Sequence, residues 1–189
     1  MGRRQHLIDT ALKLFYEQGI HATGINQVLD VAQVAKQTLY NHFESKDSLV
    51  EAAVVHRDFV FYGWLADRLS QCAAGKEALL EVFDAIHDWF NNKVPMLNRF
   101  CGCFFINTCG EFSDPEHEVH KRCAEHKARV FELLLGHARK VTRSEAEAKN
   151  LAYALSLLKE GATIKAHVEG DLEAALSAKQ IAARMISSH

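Results

Sequence analysis

Only two prolines, Pro95 and Pro115, interrupt 189 residues, and between them apolar residues recur at the spacing of a helix. Few breakers and long runs of that period mark an all-α chain, since strands alternate with a period of two. The first helix is predicted over residues 3–18, with Leu7, Ile8, Ala11, Leu14 and Phe15 as its buried stripe and Gly19 as its left-handed stop. Residues 23–46 read as two short helices joined by a tight turn. Val28 and Leu29 anchor the first of them, and Val34, Leu39 and Phe43 anchor the turn and the second. Thr23 can cap the first, because its hydroxyl can accept from the exposed N–H groups of the opening turn. The second, about residues 35–42, carries Lys36, Gln37, Thr38, Tyr40, Asn41 and His42, side chains of the kind that reach base edges and phosphates. The residues alone suit a helix-turn-helix reading head and an ordinary solvated helix hairpin equally well.

A long fourth helix is predicted from about Asp47 toward Gln71, capped by Ser45, before Gly75 breaks the chain. Leu79, Leu80, Phe83, Ile86, Trp89 and Phe90 form a core stripe on a helix over residues 76–92. Residues 93–101 read as irregular and residues 103–112 as a short buried helix. Asp114 as cap and Pro115 at the first helical position predict a helix from there to about Lys140. Ser144 and Glu147 fit a capping box opening the next, Gly170 stops it, and Asp171 caps a last helix to about Ser187. The total is about nine helices.

The run Thr-Leu-Tyr-Asn-His-Phe-Glu-Ser-Lys, residues 38–46, resembles the signature of the tetracycline-repressor (TetR) family of bacterial transcription regulators. Ile25, Ala32 and Val34 fall where that family has its apolar helix-turn-helix positions. The family usually has Gly and Ser where this chain has Gln33 and Ala35, so the turn lacks its favoured glycine and the following helix a common capping hydroxyl. The motif covers the chain to about residue 50; beyond it the likeness is one of helix number and order. The resemblance implies a helix-turn-helix DNA-binding domain over residues 1–46 and a ligand-binding and dimerisation domain over 47–189. It implies a ligand-responsive regulator, a repressor rather than an activator, that binds a palindromic double-stranded DNA operator as a homodimer and is released by a small-molecule effector. Lys36, Gln37 and Thr38 are then expected at base edges, and Thr23, Tyr40, His42 and Lys46 at phosphates, with Asn41 in the same DNA-binding set.

The formal net charge of −2 does not itself point to nucleic acid. In residues 1–50, Arg3, Arg4, Lys13, Lys36 and Lys46 balance Asp9, Glu17, Asp30, Glu44 and Asp47, so any attraction to DNA comes from where the charges sit. No apolar run approaches the length of a membrane span and no signal peptide is evident, which gives a cytoplasmic expectation. In the last two helices, Leu155, Leu158, Gly161 and Ala162 on one and Ala174, Ala175, Ala178, Ala182 and Ala183 on the other offer much apolar and small-residue surface. That surface fits a dimer interface and a close intramolecular core equally; the resemblance favours the dimer.

Other chemistry is open at this stage. The candidate ligand pocket is lined by Trp64, Phe83, Trp89, Cys103, Phe104, Phe105 and Ile106, each of which also suits plain core. Five cysteines, an odd number, argue against a disulfide framework. Cys103, after Gly102 and at the start of a predicted helix, is the candidate reactive thiol, opposed by the apolar run behind it. His117 and His120 share a helix face near Glu116 and Cys123, but two ligands do not make a metal site. No glycine-rich phosphate loop is present, and neither metal, cofactor nor enzymatic activity is expected. The alternative is a helical enzyme or a metal- or thiol-dependent sensor bundle built on the cysteines and histidines.

Overall fold

Apolar spacing becomes helix almost throughout the computed structural model, which describes residues 2–188. Nine α-helices follow in order: α1 (Arg3–Gln18), α2 (Ile25–Ala32), α3 (Lys36–Tyr40), α4 (Lys46–Ser70), α5 (Lys76–Phe90), α6 (Phe104–Glu111), α7 (Glu118–Ala138), α8 (Glu145–Ile164) and α9 (Ala174–Ile186). A 3₁₀ turn at Pro95–Leu97 and a π-helical turn at Lys165–Glu169 complete them, and the described residues contain no strand. No helix among the described residues is long and apolar enough to cross a membrane.

Contacts divide the chain into two units. One comprises residues 2–59 with Cys103–His126; the other comprises Val60–Gly102 with residues 127–188. In the first, α1, α2 and α3 pack on one another through Leu7, Ala11, Val28, Leu29 and Leu39. Tyr16 meets Phe104 of α6 edge-on at 6.0 Å and carries the Arg57 guanidinium over its ring at 4.8 Å. Buried His126 donates from Nδ1 to Asp58 at 2.7 Å and lies flat on Phe105, with centroids 3.5 Å apart. In the second unit, α5 buries Leu79, Val82, Phe83, Ile86, Trp89 and Phe90. Each large apolar side chain so buried contributes about 1.5–3 kcal/mol. Helix α9 packs on α5 and α8 through Ala174, Ala175, Ala178 and Ala182, whose small side chains let the backbones approach. Ala182 is wholly inside this core.

Several helix starts differ from expectation. Gly24, not Thr23, is the residue before α2, and the Thr23 hydroxyl donates to the Gly19 carbonyl at 2.7 Å instead of capping. Gly19 has φ +92° and ψ 152°, positive but outside the left-handed helical basin. Helix α7 starts at Glu118. Asp114 accepts from the Glu116 N–H at 2.9 Å in a closed local turn, and the His117 Nδ1 accepts from the Val119 N–H at 3.2 Å. The capping at Ser144 is as expected: its hydroxyl accepts from the Glu147 N–H at 3.2 Å. The Glu147 carboxylate, however, returns to the Arg143 N–H at 2.9 Å, one residue earlier than in a capping box.

Two titratable groups tie the second unit to pH. Burial works to raise the Glu160 carboxyl, but the ammonium groups of Lys159, 2.6 Å away, and Lys127, 2.8 Å away, overcome it and hold it at about 2. At the Gly75 turn, where φ is +100°, the half-buried His137 accepts the Gly75 N–H on Nδ1 at 3.3 Å. Burial, with some help from Lys140, lowers the His137 imidazole below its usual 6.5. Between the lowered value and 6.5 the unfolded chain binds more protons than the folded one, so this contribution to stability is complete above 6.5 and declines as pH falls below it. Thermal melts between pH 7.5 and 5.5 should therefore show a steeper loss of Tm in the parent than in His137→Asn, which cannot take up the proton. Parallel slopes in the two proteins would contradict this role for His137.

Candidate nucleic-acid interface

The exposed face of the first unit is set by the turn over residues 19–24. Its backbone runs through a positive φ at Gly19, where any side chain is strained. Around that turn several backbone groups find side-chain partners. The Glu111 carboxylate, at the last residue of α6, accepts from the Ile20 N–H at 2.8 Å and the His21 N–H at 2.5 Å. His21 Nδ1 lies 3.4 Å from the same carboxylate, and the ring of His21 packs on Phe112 at 5.3 Å. Lys46 donates from Nζ to the Ile20 carbonyl at 2.6 Å. His6 of α1 donates from Nε2 to the Ala32 carbonyl at 3.0 Å, fixing the end of α2 against α1.

Helix α2 ends at Gln33, which takes the left-handed conformation (φ 54°, ψ 45°) that the turn requires. That conformation costs a non-glycine residue about 1 kcal/mol or more. The Gln33 side chain donates from Nε2 to the Asp30 carbonyl at 2.5 Å, a local hydrogen bond that offsets part of the cost. Ala35 stands extended before α3 without a side-chain cap. Leu39, fully buried, pins α3 to the core of the unit. Its neighbours Lys36, Gln37, Tyr40, Asn41 and His42 are exposed, and Thr38 and Lys46 are half-buried. Gln37 donates from Nε2 to Asn41 Oδ1 at 3.0 Å, and Lys36 Nζ sits 5.8 Å from the Tyr40 ring. Six of the eight expected DNA-facing residues thus lie on α3 or in the two positions that follow it, and Lys46 opens α4. Thr23 is wholly buried. Arg4, its guanidinium 5.2 Å over the Phe43 ring, adds a cation to the same unit.

The expected pocket residues fall in both units. Trp64, Phe83 and Trp89 are buried in the second unit, while Cys103, Phe104 and Phe105, also buried, and half-buried Ile106 belong to the first. Cys103 is the residue before α6 and is 8% exposed, which suits packing better than reaction with solutes. None of the five cysteines forms a disulfide. His120 donates from Nδ1 to the Phe112 carbonyl at 2.7 Å, and His117 lies 3.9 Å from Asp47, so the two histidines serve different partners. Among the described residues no three His, Cys, Asp or Glu side chains are placed to share a metal ion. The sequence reading missed Glu111. No local pattern marks it, because its partners lie 91 and 90 residues away.

Comparison with known proteins bears on this geometry. Residues 7–53 match the family described as bacterial regulatory proteins, tetR family. The HTH-type transcriptional repressor KstR2 of Rhodococcus jostii is 44% identical over 50 residues, which cover 26% of this chain and 24% of that protein. The HTH-type transcriptional regulator YjdC of Escherichia coli is 24% identical over 131 residues, 69% of this chain and 66% of the relative. The chain therefore spans less than two thirds of the length of either relative it matches. A TetR-family transcriptional regulator from Streptomyces coelicolor superposes with a TM-score of 0.87 at 26% identity, covering 98% of this chain and 95% of that one. The reduced form of Escherichia coli NemR has the same fold, with a TM-score of 0.77 at 22% identity and 97% of each chain covered.

The Glu111 contact is open to direct measurement. Glu111→Ala leaves the Ile20 and His21 amides without their acceptor, and a hydrogen bond to a charged group is worth about 1.5–3 kcal/mol. Amide exchange at Ile20 and His21 should quicken by roughly tenfold to a hundredfold, while amides in α5 and α9 keep their rates. Unchanged exchange at both residues would show that the carboxylate does not hold the turn.

Proposed function

We propose that the chain, whose residues 7–53 match the tetR family of bacterial regulatory proteins, is a repressor of that family that binds a palindromic DNA operator as a homodimer and is released by a small-molecule effector. The observation that carries the proposal is the open face of α3, with Leu39 anchored beneath and Lys36, Gln37, Tyr40, Asn41 and His42 turned outward. A helix so held can enter a major groove, where Lys36, Gln37 and Thr38 meet base edges. Tyr40, Asn41, His42 and Lys46 then hold phosphates, Lys46 by exchanging the Ile20 carbonyl for a phosphate oxygen, a stronger charge-assisted bond. Thr23 serves the surface from beneath, through its hold on Gly19. In this reading residues 1–46 form the reading head and 47–189 the effector-binding and dimerising body. The protein acts in the cytoplasm, where its DNA lies, and the relatives named above are regulators rather than enzymes.

The partner for dimerisation is a second copy of the chain. An apolar groove of about 670 Å³ runs along α8 and α9, lined in part by Leu157, Leu158, Gly161, Ile181 and Met185. Leu157 is 56% exposed and Ile181 48% exposed, which is unusual for large apolar side chains unless something covers them. Two copies joined there by a two-fold axis make a four-helix bundle. An effector bound in the body shifts the balance between head spacings that fit and do not fit the operator, and only by its difference in affinity for the two.

The test is a gel shift with the DNA upstream of the chain's own coding region. The parent should bind at nanomolar to micromolar concentration, and failure to bind any fragment of that region would count against the repressor reading. Lys46→Ala should weaken binding to all sequences alike and reduce the slope of log K against log salt by about 1. Altered sequence preference with an unchanged slope would remove Lys46 from the phosphate set. Leu158→Arg places a charge in the proposed interface and should convert a sedimenting dimer to monomer at micromolar concentration. A parent that already sediments as a monomer would refute the dimer.

A further inference from the structure

In the second unit a buried donor lacks an acceptor. Trp89 of α5 is 3% exposed, and its indole Nε1 has no hydrogen-bond partner. Most buried polar groups are paired, and leaving one unpaired forfeits its hydration without return, so such a group calls for an explanation. The surroundings narrow it. Phe61 and Phe100 stand edge-on to the Trp89 ring at 5.2 and 4.9 Å, and Phe90 tilts against it at 5.7 Å. Trp64 stands behind Phe61 at 5.3 Å. The four carboxylates of α5 are engaged elsewhere: Glu77 with the Ala73 N–H, Glu81 and Asp88 with Arg68, and Asp84 with Lys179. The indole N–H therefore sits within an aromatic cluster, and none of these carboxylates accepts from it.

We propose that Trp89 is the polar anchor of an effector site in the second unit, and that the ligand it takes is an uncharged, ring-bearing apolar molecule with a carbonyl oxygen. An indole nitrogen only donates, so the ligand must accept. A carboxylate buried among these rings would lose its hydration for one hydrogen bond, which excludes an anion at this point. Aromatic walls with few, well-placed polar groups are the usual make-up of a small-molecule site. The site deepens the effector-binding part of the repressor reading and rests on it for any consequence at DNA, but not for the binding itself.

Two probes of one outline separate the terms. Acetophenone carries the carbonyl; α-methylstyrene has a methylene group in the place of its oxygen. The chain has two tryptophans, so ¹⁵N-tryptophan labelling yields two indole signals, and Trp64→Phe assigns them. Acetophenone should move the Trp89 N–H signal downfield and slow its exchange with water, whereas α-methylstyrene should bind roughly tenfold more weakly without the downfield move. In Trp89→Phe the two probes should bind alike. A Trp89 signal unmoved by acetophenone up to its solubility, equal movement by both probes, or a preference for the ketone that survives in Trp89→Phe would each overturn the assignment. The parent's own signal decides the matter if Trp89→Phe does not fold. Failure of the parent to bind upstream DNA while the signal moves would refute the repressor reading and leave this site standing.

Discussion

The junction between α1 and α2 depends on how one carboxylate meets the backbone of one turn. Glu111 accepts from the N–H groups of Ile20 and His21, and those two residues carry the chain from the end of α1 to the start of α2. Hydrogen bonds to an ionised acceptor are about twice as strong as neutral ones. They hold a turn that begins on a strained φ at Gly19 and that presents its Ile20 carbonyl to Lys46. From the end of this turn α2 runs to Gln33, and α3 follows with its polar face outward. The turn that leads into α2 and α3 is thus held in part by α6, an element far away in the chain.

Much of this was legible from residue order. Helical spacing marks α1, α4, α5 and α8 to within a few residues, because each carries a long apolar stripe and a local stop or cap such as Gly19, Gly75 or Ser144. The resemblance over residues 38–46 singled out α3 and its outward side chains. What stayed hidden depends on contacts distant in sequence or on competition among local hydrogen bonds. Thr23 prefers the Gly19 carbonyl behind it to the N–H groups ahead. Asp114 closes on Glu116 and so leaves the start of α7 to Glu118. The alanines of α9 fit two kinds of surface from composition; Ala175 and Ala182 are wholly buried within the chain, whereas Ala174 and Ala178 reach the edge of the open groove beside larger residues such as Leu157 and Ile181. Trp89 reads in sequence as core and as candidate pocket lining alike, and its unpaired nitrogen sets it apart from the other residues of its stripe.

The second unit combines a tightly packed interior with features that a purely structural core does not need. Phe83 and Ile86 fill α5 with no accessible surface, yet three residues beyond Ile86 an indole donor is left unsatisfied. Glu160, held ionised between Lys127 and Lys159, is of the structural kind: each group has an opposite charge within 3 Å or less, and breaking such a partly buried pair is costly. The difference between these two polar sites is what separates a stabilising ion pair from a candidate binding group.

The central claim is that α3 reads DNA as one of a symmetric pair. Hydroxyl-radical footprinting on the upstream fragment tests it most directly, because it reports both contact and symmetry. The expected result is two protected patches on one face of the duplex, centred one helical turn apart, about 10 base pairs, or a multiple of it. Both patches should fade together when Lys36 and Gln37 are replaced by Ala. A single patch, or protection that survives those replacements, would contradict the account.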